Sequence, residues 1–179
     1  MRKVRHRWFG RSLLNDQRGL ALVEMSLILP VLVLLICGSV DVAMCFARQL
    51  SVQQAAARTM EFAIAKGMQS TLASNIASDG ASGAGVADAN ISVTSTSTSV
   101  ATVSYGSIGV TSKVWLECGG TEQVGVDPYT GTCTTGNPAR YASVTITDTY
   151  NWMFEAIVNS WNHSPFSIAL KGYAEVRLQ

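Results

Sequence analysis

The sequence predicts an α+β protein: a long N-terminal helix that crosses a membrane and continues as a stalk, followed by a small antiparallel β-sheet domain outside the cytoplasm. Three observations carry this. The run from Leu20 to Val40 has 21 residues and one ionisable side chain, Glu24. At about 1.5 Å per residue it reaches roughly 31 Å, enough for the hydrocarbon core of a bilayer. Beyond it, Phe46, Leu50, Ala57, Ile64 and Met68 recur at near-helical spacing, with Arg48, Gln49, Gln53, Gln54 and Arg58 between them. Toward the C-terminus, Ala142, Val144 and Ile146 alternate with Ser143, Thr145 and Thr147, the period of a half-buried strand.

In order along the chain, residues 1–19 form a basic leader. Arg2, Lys3, Arg5, Arg7, Arg11 and Arg18 precede the apolar run, opposed only by Asp16. Basic residues flanking a span mark its cytoplasmic side, which puts residues after Asp41 outside. Without the leader, seven basic and eleven acidic side chains remain, a net charge of −4. Residues 20–68 are predicted as one transmembrane and stalk helix. Pro30 falls inside it, where a proline removes one backbone bond and is expected to kink the helix. Alanines at 55–57, 63 and 65 favour helix in the second half.

Residues 69–89 shift to Ser, Gly, Ala and Asp and are predicted as a flexible linker. Residues 90–179 then form the β-rich domain, expected as four strands packed on the stalk. Ile91–Val103 reads as a Ser/Thr-rich strand, Val110–Leu116 as a second and the run around Val144 as a third. In the fourth, Ile168, Leu170, Ala174, Val176 and Leu178 oppose Lys171, Tyr173, Glu175 and Arg177. An aromatic segment holding Trp152, Phe154 and Trp161 lies between the last two, and serves either as core or as a partner surface.

The four cysteines fall into two pairs. Cys37 and Cys45 lie eight residues apart on one helix, about 12 Å along the axis, too far for a disulfide. They read as small apolar residues. Cys118 and Cys133 flank a glycine-rich polar loop in the segment predicted to be outside, where an even pair reads as a disulfide. Closing a loop of this size stabilises by about 3 kcal/mol on the chain-entropy account. No catalytic constellation, nucleotide loop, metal cluster or cofactor motif is present in the sequence, and His163 is the only histidine beyond the leader. The chain is expected to be neither an enzyme nor a nucleic-acid binder.

Glu24 is the residue that needs a partner or a purpose, because a charge inside a span is costly. It sits five positions after Gly19, where the basic leader meets the apolar run. Leader, glycine, apolar helix and glutamate together resemble the processing site of type IV pilin-like proteins. The wider pattern resembles the TadE-like pseudopilins of tight-adherence, Flp-type pilus systems. It is carried by Arg18-Gly19, Val23-Glu24, Leu29-Pro30, Gly38, Asp41, Ala47-Arg48, Gln49, Gln53, Ala55-Ala56-Ala57-Arg58 and Ala63. Met25 departs from the phenylalanine usual there. The resemblance spans about 50 residues, with a weaker echo at the C-terminus, in a strand, an aromatic-rich connection holding Pro165 and a final strand ending in Val176-Arg177.

It implies cleavage by a prepilin peptidase between Gly19 and Leu20, a role for Glu24 in assembly, and a place in the bacterial inner membrane. The implied partners are other pilins and pseudopilins and the inner-membrane assembly machinery. A reading from another class stands beside it: an uncleaved single-pass anchor carrying an extracytoplasmic binding module. On that reading Glu24 only complements the positive end of its helix, worth about 0.3–1 kcal/mol.

Overall fold

The computed structural model describes residues 17–153 and 167–178. The leader up to Asp16, and the expectations for Phe154, Trp161 and His163, lie outside the described residues. Helix α1 runs Gln17–Lys66, with Pro30 inside it. Its C-terminus is closed by Gly67, which adopts a positive φ of 65° and donates its N–H to Ala63 O at 3.1 Å. A left-handed residue after the last turn favours glycine, because no Cβ opposes it. The chain divides into two compact units, Met1–Val42 and Ala43–Gln179.

In the first unit α1 is apolar nearly all round and its side chains are exposed, with Leu22 and Leu27 each at 73%. Asp41 is the exception at 2%. Two hydroxyls within the apolar run bond back to their own helix, Ser26 to Val23 O and Ser39 to Ile36 O, each at 2.8 Å. A hydroxyl satisfied in this way costs little in a dry environment.

The second unit holds the remainder of α1, helix α2 (Leu72–Gly83) and one antiparallel sheet. The strands are β1 (Val93–Ser97), β2 (Val100–Tyr105), β3 (Ile108–Cys118), β4 (Thr121–Glu122), β5 (Pro138–Asn151) and β6 (Ser167–Arg177). Their order is β1-β2-β3-β5-β6, with the short β4 paired to β3. Register places Val103, Val110, Ile146 and Gly172 in one cross-strand row, and Ala101, Ser112, Val144 and Ala174 in the next. These rows form the inner face.

Helix α2 lies on that face through Leu72, Ile76, Ala77, Gly80 and Ala81, all buried. Ser112, buried among them, donates its hydroxyl to Ala73 O at 2.6 Å. Small residues let the layers approach closely. A Cβ at Gly83 would stand 3.4 Å from Ala55, and one at Gly172 only 2.6 Å from the backbone oxygen of Val52. The α1 backbone therefore rests directly on β6, and only glycine fits beneath it.

Two expectations are corrected here. The stretch predicted as a flexible linker, residues 69–89, contains α2. The Ser and Gly residues there occupy the exposed face or the contact points of a helix whose apolar residues all bury. Ile91–Val103 is also not one strand. It holds β1 and the first part of β2, joined by a tight turn, with a register irregularity between Ser95 and Ser97. Six strands, not four, are present among the described residues. The alternation around Val144 and the last strand match β5 and β6, with Ala142, Val144 and Ile146 fully buried.

Candidate functional site

The first half of α1 is the most conspicuous surface of the chain. The large apolar side chains between Leu22 and Val42 are exposed, and each leucine would gain about 1.5–3 kcal/mol if removed from water. Glu24 is exposed among them. One helix among the described residues is long and apolar enough to cross a membrane. Gly19 and Leu20 fall in its first turns, and Cys37 and Cys45 are free thiols farther along it.

Past Val42, three successive features of α1 hold it to the sheet. Arg48 Nε donates to Asp148 Oδ2 at 2.7 Å, and its Nη2 donates to Ala84 O at 3.3 Å. Gln49 Nε2 donates to Lys171 O at 2.9 Å. Val52 then seats its backbone on Gly172. Asp148 also accepts from Ser107 Oγ at 2.7 Å and from the Thr149 N–H at 2.8 Å. Its burial pushes the carboxyl upward, but the bonds from Ser107, Arg48 and Thr149 outweigh this and hold it below the ordinary value of 3.8. Arg48 and Gln49 carried part of the sequence resemblance; Asp148 did not, and its role emerges only from the fold.

The Cys118–Cys133 disulfide is formed, with a Cα–Cα distance of 5.6 Å. The loop it closes is ordered from within. The Asp127 carboxylate accepts from the Tyr129 N–H and the Thr130 hydroxyl, bonds that hold its carboxyl below the ordinary range. Arg140 donates to Pro128 O and Gly131 O. The Tyr129 hydroxyl, raised in pKa by burial, donates to Thr98 O and accepts from the Ala73 N–H, tying the loop to the β1–β2 turn and to α2. Trp152 is half-buried, its ring edge-on to Tyr150 at 6.2 Å.

In comparison with known families, residues 19–60 match the model described as TadE-like protein. That segment contains Gly19, Glu24, Arg48, Gln49 and Val52, and over it the chain is similar to TadE-like proteins. No curated protein and no solved structure matches the chain.

Proposed function

We propose that this chain, TadE-like over residues 19–60, is a pseudopilin needed to assemble a tight-adherence, Flp-type pilus. It enters the inner membrane as a single pass with its basic leader in the cytoplasm and the sheet domain outside. A prepilin peptidase cuts after Gly19, and the mature helix then packs against other pilins and pseudopilins. The observation that carries this reading is Glu24, exposed and the one carboxylate within the apolar run Leu20–Val40, at the start of the matched segment.

Cleavage would create an α-amine on Leu20, a cation at neutral pH with a reference pKa of about 7.7–8.0. Leu20 and Glu24 are four residues apart and share a helix face. In a low-dielectric environment the Glu24 carboxylate is strongly stabilised by such a cation, either its own or a neighbour's. A neighbour's terminus would set the axial register between adjacent helices. Leaving the carboxylate without a cation there carries a large desolvation cost.

The test uses two variants of the full chain expressed with its pilus system. Gly19→Leu is expected to stay uncut, about 2 kDa heavier than the mature wild type. Glu24→Gln is expected to insert and be cut, yet to lose co-purification with the other pilus components from detergent extracts. Normal trimming of Gly19→Leu to Leu20 refutes the cleavage site. Wild-type recovery of partners by Glu24→Gln refutes the assembly role.

A further inference from the structure

The contacts between α1 and the sheet run in a definite direction. Val52 seats on Gly172, which pairs with Ile146 in β5. About one turn back along α1, Arg48 bonds Asp148, two residues nearer the end of β5. One turn further back, Met44 lines a groove with Ala47, Arg48, Thr149, Tyr150 and Asn151. Moving toward the N-terminus of α1 is therefore moving toward the end of β5, where Asn151 pairs with Ser167 at the start of β6. The β2–β3 turn lies at the same end, because Ser107 bonds Asp148 and Gly109 pairs with Thr147. Helix α1 leaves the sheet unit here, and its apolar run closes at Val40, three residues before Ala43.

The surface at this end is apolar and aromatic. Phe46 is 71% exposed and Met153 63%; Tyr105 and Ile168 are exposed too, with Tyr150 and Trp152 half-buried. Such side chains lose free energy in water unless something covers them. Across residues 43–51, 105–109, 147–153 and 167–171 the one carboxylate is Asp148, and it is buried against Arg48. The opposite end differs. Its β1–β2 turn holds Ser97, Thr98 and Ser99, its β3–β4 turn Gly119 and Gly120, and the next loop exposes Val124.

We propose that this end of the sheet unit is a membrane-contact surface. The β2–β3 turn and the adjoining ends of β5 and β6 rest in the headgroup layer of the bilayer that α1 crosses. The depth fits. Met44 and Phe46 lie four and six residues past Val40, about 6 and 9 Å along the helix. A bilayer of about 40–45 Å around a hydrocarbon core of about 30 Å leaves roughly 5–8 Å of headgroup layer on each side. Tyrosine and tryptophan suit that layer, having one apolar end and one wet one, and Met153 and Ile168 are withdrawn from water there. Lys171, exposed on the same part of β6, extends its ammonium toward lipid phosphate. The occupant is the bilayer and not another protein, because the span holds lipid beside this end at high effective concentration. The inference rests on α1 spanning a membrane, and not on a pilus role.

The test places the full chain, ¹³C-methyl-labelled at Met, Ile and Val, in phosphatidylcholine nanodiscs and compares two paramagnetic agents by NMR. One is a doxyl-labelled phosphatidylcholine, with its nitroxide near the headgroup; the other is a gadolinium chelate in the water. The Met153 and Ile168 methyls are expected to relax at least about threefold faster than Val124 with the labelled lipid. With the chelate they should relax at least about threefold more slowly than Val124. Met25, inside the apolar run, reports on the span itself. If Met25 escapes the labelled lipid, the span reading fails and the proposal with it. If Met25 is relaxed while Met153 and Ile168 behave like Val124, the span stands and the proposal is refuted. Protection of both methyls from both agents also refutes it, because another part of the chain then covers them.

Discussion

Replacing Asp148 with alanine removes the only carboxylate bonded to Arg48 among the described residues, and with it the acceptor of Ser107 Oγ and the Thr149 N–H. Truncating one member of a buried ion pair costs about 3–5 kcal/mol. The side chains here are 5% exposed at Asp148 and 36% at Arg48, so the guanidinium regains some water and the upper end of that range is too high. A loss of about 2–3 kcal/mol is expected. With a urea slope of about 1–3 kcal/mol per molar for small domains, the midpoint should fall by roughly 0.7–3 M. Near-UV circular dichroism of the full chain in a fixed micelle reads the sheet unit.

Asp148→Asn, which keeps an acceptor oxygen but not the charge, should lose about half as much. The pH dependence follows from the depressed carboxyl. Its stabilisation is fully present above the unfolded value of about 4 and disappears as pH falls through the folded value, which lies below 3.8, so wild type and Asp148→Asn should still differ at that pH and converge only below the folded value. A midpoint shift under about 0.3 M refutes the argument. So does an unchanged cost in an Arg48→Met background, where the two residues should be coupled by at least about 1 kcal/mol.

Three further outcomes are expected. Cys118→Ala with Cys133→Ala should cost about 3 kcal/mol, and non-reduced peptide mass spectrometry of the wild type should recover the two as one linked species. Gly172→Ala places a Cβ 2.6 Å from Val52 O and should cost about 1–3 kcal/mol, measured as a lowered urea midpoint; an unchanged midpoint would show that α1 moves aside freely. Ile76→Ala, at a fully buried position of α2, should cost about 2–5 kcal/mol and raise amide exchange throughout that helix, which a true linker would not show.

The parts of the fold that were legible in the sequence are those with an unambiguous period. The apolar run of α1 and the two-residue alternation of β5 and β6 each leave one physical solution. Helix α2 was hidden by its composition. Leu72, Ala73, Ile76, Ala77, Gly80, Ala81 and Ala84 recur at helical spacing, but small residues carry so little hydrophobic contrast that the intervening Ser, Asp and Gly dominate the reading. They are small because α1 and the sheet approach closely. Asp148 was missed for a different reason. It continues the inward series Ala142, Val144 and Ile146, where a carboxylate has no place without a cation. That break in pattern was the available signal, but nothing in the sequence pairs it with Arg48, one hundred positions away.

The close seating of Val52 on Gly172 bears on interchange between related chains. The TadE-like match ends at residue 60, while the surfaces that receive Arg48, Gln49 and Val52 lie at Ala84, Asp148, Lys171 and Gly172, all outside it. A chimera joining this helix to another protein's head would therefore have to offer a bare stretch of backbone, two outward main-chain oxygens and a carboxylate at matching places. A donor head with any side chain at the first of these would be lifted from the helix, and its other three attachments would then fall out of reach.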